Sequence, residues 1–489
     1  MNDSTKRYSF LIRFCLFLLV FGSMAYFYNG SNWNSSARMC QVYRIVEDGV
    51  LNIDTFTGET GDFSISKDKH FYPNKPPGAS FLGVIPYFII YNIEKLIGVN
   101  PDDHLKTVLF NDYFVKLISN DLIFSIACIF FFNLILRLSG NILFSVIPVI
   151  SLSLGTLLWP YSSVYMGHVQ AASFFIIGFY YYGKIYFDLD SSKSDYGLLG
   201  LCMGISFIID FFCIYIVLPV LVHAFVLAFK KEKMNLSFLL FSFLAPLIIL
   251  MAYQWNVFGS PFDTPMKYNN PIFKYDRADL FLGAFIFPRF IVLKELLTGQ
   301  FHGLFTFNPI LIAGIPGLML LLSEKKTYIL GIVILTGVII SIFSNVCFIG
   351  WWGGHTCGSR YLIPVIPILI FPIYKLLKYK SIKLVFLIII PLSVFINLAI
   401  VSTSPYGKFK SLKYEIFEDF KAYKYASSKS FPRIEDSIVP ENLKKISAFN
   451  MGQIAGLDDK KSLLPLFMYN LFLFFLIFYM SKQLEFFET

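Results

Sequence analysis

Charge is the scarcest thing in this sequence. Only 15% of its 489 residues are Asp, Glu, Lys or Arg, where a soluble chain carries about a quarter. Hydrophobic residues reach 56% and aromatics 18% instead, which excludes a soluble globular domain. The seven cysteines show no CxxC and no regular spacing, so neither a zinc site nor a disulfide framework is expected. Cys15, Cys128, Cys202, Cys213 and Cys347 lie in apolar runs; Cys40 and Cys357 lie in polar loops and are expected to stay unbridged. HExxH and HxxxH are missing, so a divalent metal is not indicated. GxGxxG, a Walker loop and GxSxG are missing too, which argues against soluble nucleotide and serine-hydrolase chemistry. No internal duplication is evident, which weighs against a transporter built from inverted repeats.

Long apolar runs fill the space that charge leaves. Runs near or above ~18 residues recur along the chain, each long enough to cross a hydrocarbon core. They cover residues 10–28, 114–136, 142–158, 169–187, 196–229, 236–257, 307–322, 328–348, 362–377, 384–401 and 463–480. The expected fold is an all-α polytopic membrane protein with large external loops and about 12 spans, within roughly 11 to 13. The start, MNDSTKRYSFLIRF, has a basic beginning like a signal peptide. No small-residue cleavage site follows Gly22-Ser23-Met24, and Tyr26-Phe27-Tyr28 form an interfacial belt, so this helix is expected to be retained.

The net charge of +9 does not signal nucleic acid, because the lysines gather in short connections. Lys230-Lys231-Glu232-Lys233, Glu324-Lys325-Lys326 and the lysines from Lys375 to Lys383 mark cytoplasmic loops, and Lys6-Arg7 a cytoplasmic N-terminus. As one helix, residues 196–229 would be roughly 51 Å long at ~1.5 Å per residue. The run is therefore split into two spans at Asp210, its only acid, which keeps that acid out of lipid. Parity then makes residues 79–97 an interfacial or re-entrant helix and residues 159–168 external. The rival count lets 79–97 cross and keeps 196–229 whole, but sends 159–168 to the cytoplasm. Segment boundaries follow: a first span (1–28), an external catalytic loop with its interfacial helix (29–113), spans (114–257), an external loop (258–306), spans (307–401), an external polar segment (402–462), and a last span and tail (463–489).

Four polar stretches meet on the outer face: residues 54–78, 159–168 (WPYSSVYMGH), 259–306 and 350–361 (GWWGGHTCGSRY). Asp54 and Asp62 are candidate general bases, since a carboxylate can deprotonate a hydroxyl or amine; as bland turn residues both are equally ordinary. Lys75 stands in the rigid turn Asn74-Lys75-Pro76-Pro77-Gly78, where proline fixes the backbone and a compact ammonium suits a phosphate; a snorkelling lysine is the plain alternative. His70 and His168 are candidate hydrogen-bond partners for phosphate, and Arg360 a bidentate one. Trp351 and Trp352 fit an interfacial belt, while Gly353-Gly354 suggest close backbone approach.

Together these motifs resemble the GT-C superfamily of polytopic glycosyltransferases, in the branches around protein O-mannosyltransferases and lipid A aminoarabinose transferases. The resemblance rests on a first span followed by an acid-bearing external loop and on Tyr72-Pro73-Asn74-Lys75-Pro76-Pro77-Gly78. It extends to Gly167-His168, Trp351-Trp352-Gly353-Gly354 with Arg360-Tyr361-Leu362-Ile363-Pro364, and the stretch from Phe449-Asn450-Met451-Gly452 to Ser462-Leu463-Leu464-Pro465-Leu466. It covers most of the chain through short motifs. The chain departs from the family after the first span: where an Asp-Glu pair is usual it reads Asn32-Trp33-Asn34-Ser35-Ser36-Ala37-Arg38, with no acid before Glu47.

The resemblance implies a hexosyl- or pentosyltransferase, inverting, that moves a sugar from a polyprenyl-phosphate donor to a lipid, glycan or protein acceptor on the external face of the plasma (inner) membrane. It implies Asp54 or Asp62 as base and Lys75 on the lipid phosphate, with Arg38 as a candidate second phosphate contact. Tyr72, His70, His168, Arg360, Trp351 and Trp352 complete the expected substrate-binding set. Membrane lipids are the other expected partners. Two other classes compete. A lipid or glycan transporter or flippase requires charged groups at the bilayer midplane, and a non-catalytic surface-polysaccharide assembly protein requires that the external acids be dispensable.

Overall fold

The computed structural model describes residues 3–273, 284–354, 356–406 and 448–488. Helices dominate it. Eight are long and apolar enough to cross a bilayer: Arg7–Ala25, Lys106–Ser139, Phe211–Lys231, Met234–Phe258, Tyr328–Cys347, Arg360–Lys378, Leu384–Thr403 and Asp459–Leu484. The protein is thus an all-α, multi-pass integral membrane protein. The other four expected spans also fold as helices, Ile142–Leu154, Gly167–Tyr186, Lys193–Ile209 and Pro309–Ser323, and all but Gly167–Tyr186 are shorter than 18 residues.

In chain order the helices are α1 (Asp3–Ala25), α2 (Trp33–Glu47), α3 (Gly78–Leu96), α4 (His104–Lys116), α5 (Ile123–Ser139) and α6 (Ile142–Leu154). Then follow α7 (Leu158–Ser162), α8 (Gly167–Tyr186), α9 (Lys193–Ile209), α10 (Ile214–Lys231) and α11 (Lys233–Phe258). Local chemistry explains the ends that matter. At α2, the Asn32 side chain accepts from the Asn34 and Ser35 amides while the Ser35 hydroxyl accepts from the Asn32 amide, a reciprocal capping box. The expected break at Asp210 is present. α9 stops at Ile209, and the Asp210 carboxylate accepts from the Phe212 amide at 3.0 Å to start a 3-10 turn into α10. Glycines let α9 lie close on α11: a Cβ at Gly200 would fall 2.3 Å from the Leu239 carbonyl oxygen, the small-residue contact favoured between helices in lipid.

The span Arg360–Lys378 is mostly 3-10 helix around a short α-helical piece, Ile366–Ile370. Pro364, Pro367 and Pro372 have no amide hydrogen to give, so the regular ladder cannot run through. Between α4 and α5 a π-helical turn, Leu117–Leu122, buries Ser119, Asn120 and Asp121. There Lys116 and Asp121 form an ion pair at 2.8 Å, both side chains fully buried. Lys116 also donates to the Met24 and Phe27 carbonyls at the end of α1.

α3 is absent from the eight crossing helices. It packs Gly83, Tyr87, Ile90 and Tyr91 inward, with Met39, Val42 and Tyr43 of α2 in the same apolar cluster. Its outer side exposes Ile85, Phe88, Ile89, Ile93 and Leu96. Two strands of the first loop, β2 (Phe63–Ile65) and β3 (Phe71–Pro73), pair antiparallel with Phe63 opposite Pro73. The second polar loop docks on this hairpin: the Asn270 amide donates to the Phe63 carbonyl at 2.9 Å, and the Asn74 amide group donates to Asn269 at 2.8 Å. The first strand, β1 (Phe27–Tyr28), pairs across the chain with β4 (Phe449–Asn450), and the C-terminal helix Leu464–Glu488 packs along α1. All seven cysteines are free and buried, so Cys40 and Cys357 are unbridged. Most of the expected external segment 402–462, namely 407–447, lies outside the described residues, as do 274–283 of the second loop.

Candidate active site

Hairpin pairing decides which acid of the first loop meets Lys75. Beyond the Phe63–Pro73 pair, the Asn74 amide donates to the Asp62 carbonyl at 3.1 Å, so the chain leaves β3 beside the residue that enters β2. Lys75, one step further, reaches the Asp62 carboxylate at 3.2 Å. Asp62 is fixed from its own side by Thr60, whose hydroxyl accepts from the Asp62 amide and donates to the Trp33 carbonyl at the start of α2. Pro76-Pro77 then turn the chain into α3. Gly78 lies against the end of α9, where a Cβ would sit 2.6 Å from the Ile208 carbonyl oxygen. This contact brings the Lys75 turn to the Asp210 corner.

The same corner receives α8. His168, in its first turn, donates through Nδ1 to Asp210 at 2.7 Å. α2 presents Arg38, whose guanidinium donates to the carbonyl and side-chain oxygen of Asn34, one turn earlier. Arg360 opens the 3-10 span and lies on the ring of Tyr361, 5.1 Å from its centroid, donating to the Tyr361 hydroxyl at 3.2 Å. The Tyr361 ring in turn stacks on Phe212 at 4.4 Å and meets His168 edge-on at 6.2 Å. Gly353 makes the fit of Arg360 feasible: its φ is +74°, and a Cβ there would sit 2.8 Å from Arg360 Cγ.

Arg38, Lys75 and Arg360 thus converge with Asp62 and Asp210. Arg38 and Arg360 keep only 4% and 9% of their surface exposed. Burial draws Arg38 down to about 10 despite Asp210 and Asp62, with Arg360 adding to the fall. Burial also draws Lys75 down to about 8; Asp62 opposes the shift, and Arg360 and Arg38 reinforce it. The two carboxylates already have partners, Asp62 the Lys75 ammonium and Asp210 the His168 Nδ1–H. Among the described residues, three buried polar atoms here have no hydrogen-bond partner: Arg38 Nε, Arg360 Nε and His168 Nε2. With His168 neutral, three cations face two carboxylates, which leaves one positive charge. Such an arrangement suits an anion, because a buried guanidinium is costly until it is paired.

The other expected residues lie elsewhere. Asp54 accepts from the Phe71 amide at 2.7 Å and pairs with His70 at 2.6 Å. Both side chains are substantially exposed, at 34% and 51%, so this pair latches the hairpin within its own loop. Tyr72 packs with Phe258, Tyr253 and Phe81 in an apolar cluster, where burial raises its phenol above its usual range. Trp351 packs with Val292, Leu296 and Val346, with Trp352 edge-on to it at 6.2 Å. Reading the sequence missed three parts of the site. Asp210 was legible as a turn but not as the partner of His168; Asn34 carries no signal of its own, and Tyr361 is visible only as part of the motif that Arg360 opens. A nearby carboxylate, Asp112, was missed as well. It is buried and accepts from Tyr28, Ser31 and Tyr43, and its one sequence cue is an acid heading an apolar run. No group of three or more His, Cys, Asp or Glu among the described residues is placed to hold a metal ion.

The fold and site define a multi-pass membrane protein with a buried cationic centre at one end of its helices. No known protein-family pattern matches the sequence, and no curated protein matches it. Solved structures similar to it in fold include two of ArnT from Cupriavidus metallidurans. The one bound to undecaprenyl phosphate is 12% identical, covers 81% of this chain and 63% of its own length, and has a TM-score of 0.44. The apo form is 13% identical, covers 82% and 64%, and has a TM-score of 0.48. This chain therefore spans less than two thirds of the length of those proteins.

Proposed function

We propose that this protein is a membrane glycosyltransferase that takes a sugar from a polyprenyl-phosphate donor and passes it to a lipid, glycan or protein acceptor. The observation that carries the proposal is the buried convergence of Arg38, Lys75 and Arg360, whose surplus charge and unpartnered Nε atoms call for an anion. When a glycosyl–phosphate bond breaks, charge builds on the departing phosphate, and prepositioned cations lower that barrier. A polyprenyl chain stays in the bilayer, so its phosphate must meet the protein at the interface. The apolar outer side of α3 lies beside the Lys75 turn, where such a chain would run.

Helix direction supports an external site. α1, α8, α10 and the span Arg360–Lys378 each have one end at the site or beside it. Their opposite ends carry Arg7, Lys184, Lys230 with Lys231, and Lys375 with Lys378. α10 alone separates the two ends by roughly 27 Å at ~1.5 Å per residue. Basic ends face the cytoplasm, so the cationic centre faces outward across the inner membrane. On phosphate binding, Lys75 would exchange its Asp62 contact for the anion.

The test is carrier binding by purified protein in lipid nanodiscs, with radiolabelled undecaprenyl phosphate as the probe. Arg360→Ala and Lys75→Met should each weaken binding at least tenfold, and Asp54→Asn should leave it within about twofold, since a charged hydrogen bond contributes ~1.5–3 kcal/mol. Equal binding by all four proteins would refute the assignment of the phosphate site.

A further inference from the structure

Resting on that reading, we infer that the His168–Asp210 dyad, rather than a first-loop carboxylate, takes the proton from the acceptor hydroxyl during transfer. An ionised carboxylate can only accept hydrogen bonds, so the 2.7 Å contact fixes the Nδ1–H tautomer of His168 and leaves Nε2 with a free lone pair. Asp210 is itself held, its other oxygen accepting from the Phe212 amide at 3.0 Å. Nε2 is buried, has no partner among the described residues, and belongs to a residue that is 5% exposed. This is the geometry of an oriented general base: an imidazole whose tautomer is set from behind and whose front nitrogen has no hydrogen-bond partner among the described residues.

Asp62, by contrast, is engaged by the Lys75 ammonium at 3.2 Å. The groups that face His168 are Asp210 after α9, Arg38 from α2, Arg360, and the rings of Tyr161 and Tyr361 at 5.9 and 6.2 Å. Beside it, Gly167 lies against Ala79 at the start of α3. In the step, the acceptor hydroxyl gives its proton to Nε2 as its oxygen bonds to the anomeric carbon. The bond from that carbon to the phosphate oxygen breaks, and its electron pair leaves with the phosphate, as the polyprenyl phosphate on Lys75, Arg38 and Arg360. Asp210 balances the imidazolium that forms.

The experiment measures kcat and kcat/KM for sugar transfer against pH in the intact protein and in His168→Asn, Asp210→Asn and Asp62→Asn, together with undecaprenyl phosphate binding by each. The dyad predicts that His168→Asn lowers kcat by about 100- to 10,000-fold, loses the acid limb of the profile, and binds the carrier within about threefold of the intact protein. Asp210→Asn should shift the acid limb to lower pH, since removing the carboxylate disfavours the imidazolium. Asp62→Asn should keep the limb. An unchanged acid limb in His168→Asn, or its loss in Asp62→Asn alone, overturns the dyad and leaves the transfer reading standing. Absence of transfer by the intact protein from every polyprenyl-phosphate sugar tried overturns both.

Discussion

Lys75 sits where its proton matters. Burial holds it near 8, so in the unliganded protein its charge falls away as pH rises through about that value. Anion affinity needs the ammonium. Carrier-phosphate affinity, measured from pH 7 to pH 10, should therefore fall above about pH 8 in the intact protein and stay flat over that window in Lys75→Met. A flat profile in the intact protein would mean that Lys75 does not contact the phosphate. Some of this was legible in the sequence. The Lys-Pro-Pro turn announces a fixed lysine, and Arg360 follows two glycines that admit a side chain on the backbone. Which of Asp54 and Asp62 meets Lys75 was not legible, because it depends on the Asp62–Asn74 pairing of a hairpin whose strands are three residues long. The paired tryptophans were the poorer guide: they pack on a neighbouring helix, while the glycines beside them shape the site.

The π-turn between α4 and α5 carries a cost that its neighbours offset. Lys116 and Asp121 are both fully buried, and removing one partner of such a pair strands the other charge. Lys116→Met or Asp121→Asn should each lower stability by about 3–5 kcal/mol, whereas an apolar replacement of both should recover most of the loss. Thermal unfolding in detergent, compared across the two single variants and the double, checks this; additive losses in the double would contradict it. The break of residues 196–229 at Asp210 could be read in advance, because one helix of that length exceeds the bilayer and an acid is expensive in it. The 3-10 character of Arg360–Lys378 was hinted at by its three prolines. The docking of Asn269 and Asn270 on the first-loop hairpin was not, since single asparagines some two hundred positions away carry no pairing signal.

Taken together, the helices run from a basic end to a cationic centre, and this orientation can be measured in cells. With the seven native cysteines buried, Asp68→Cys should react with a membrane-impermeant thiol reagent in intact cells, and Lys325→Cys only after permeabilisation. Both positions are exposed. The reverse pattern would turn the protein over and place the site in the cytoplasm. Class and helix layout came readily from composition and basic loops, because the bilayer imposes length and charge rules on every span. The centre itself draws residues from α2, the hairpin turn, α8, the end of α9 and the last 3-10 span, which lie up to 322 positions apart (Arg38 to Arg360). No local pattern reports such a convergence.

The decisive assay is transfer of a radiolabelled sugar from a polyprenyl-phosphate donor to membrane acceptors, by the intact protein and by Arg360→Ala brought to equal folded amounts. The intact protein should release polyprenyl phosphate in step with label entering the acceptor, and Arg360→Ala should lower the rate by about 100-fold or more, as loss of a transition-state cation does. Transfer that proceeds equally in both proteins would contradict the role given to the buried cations. No transfer by either, with a polyprenyl phosphate still bound, would move the protein to the class of lipid carriers rather than glycosyltransferases.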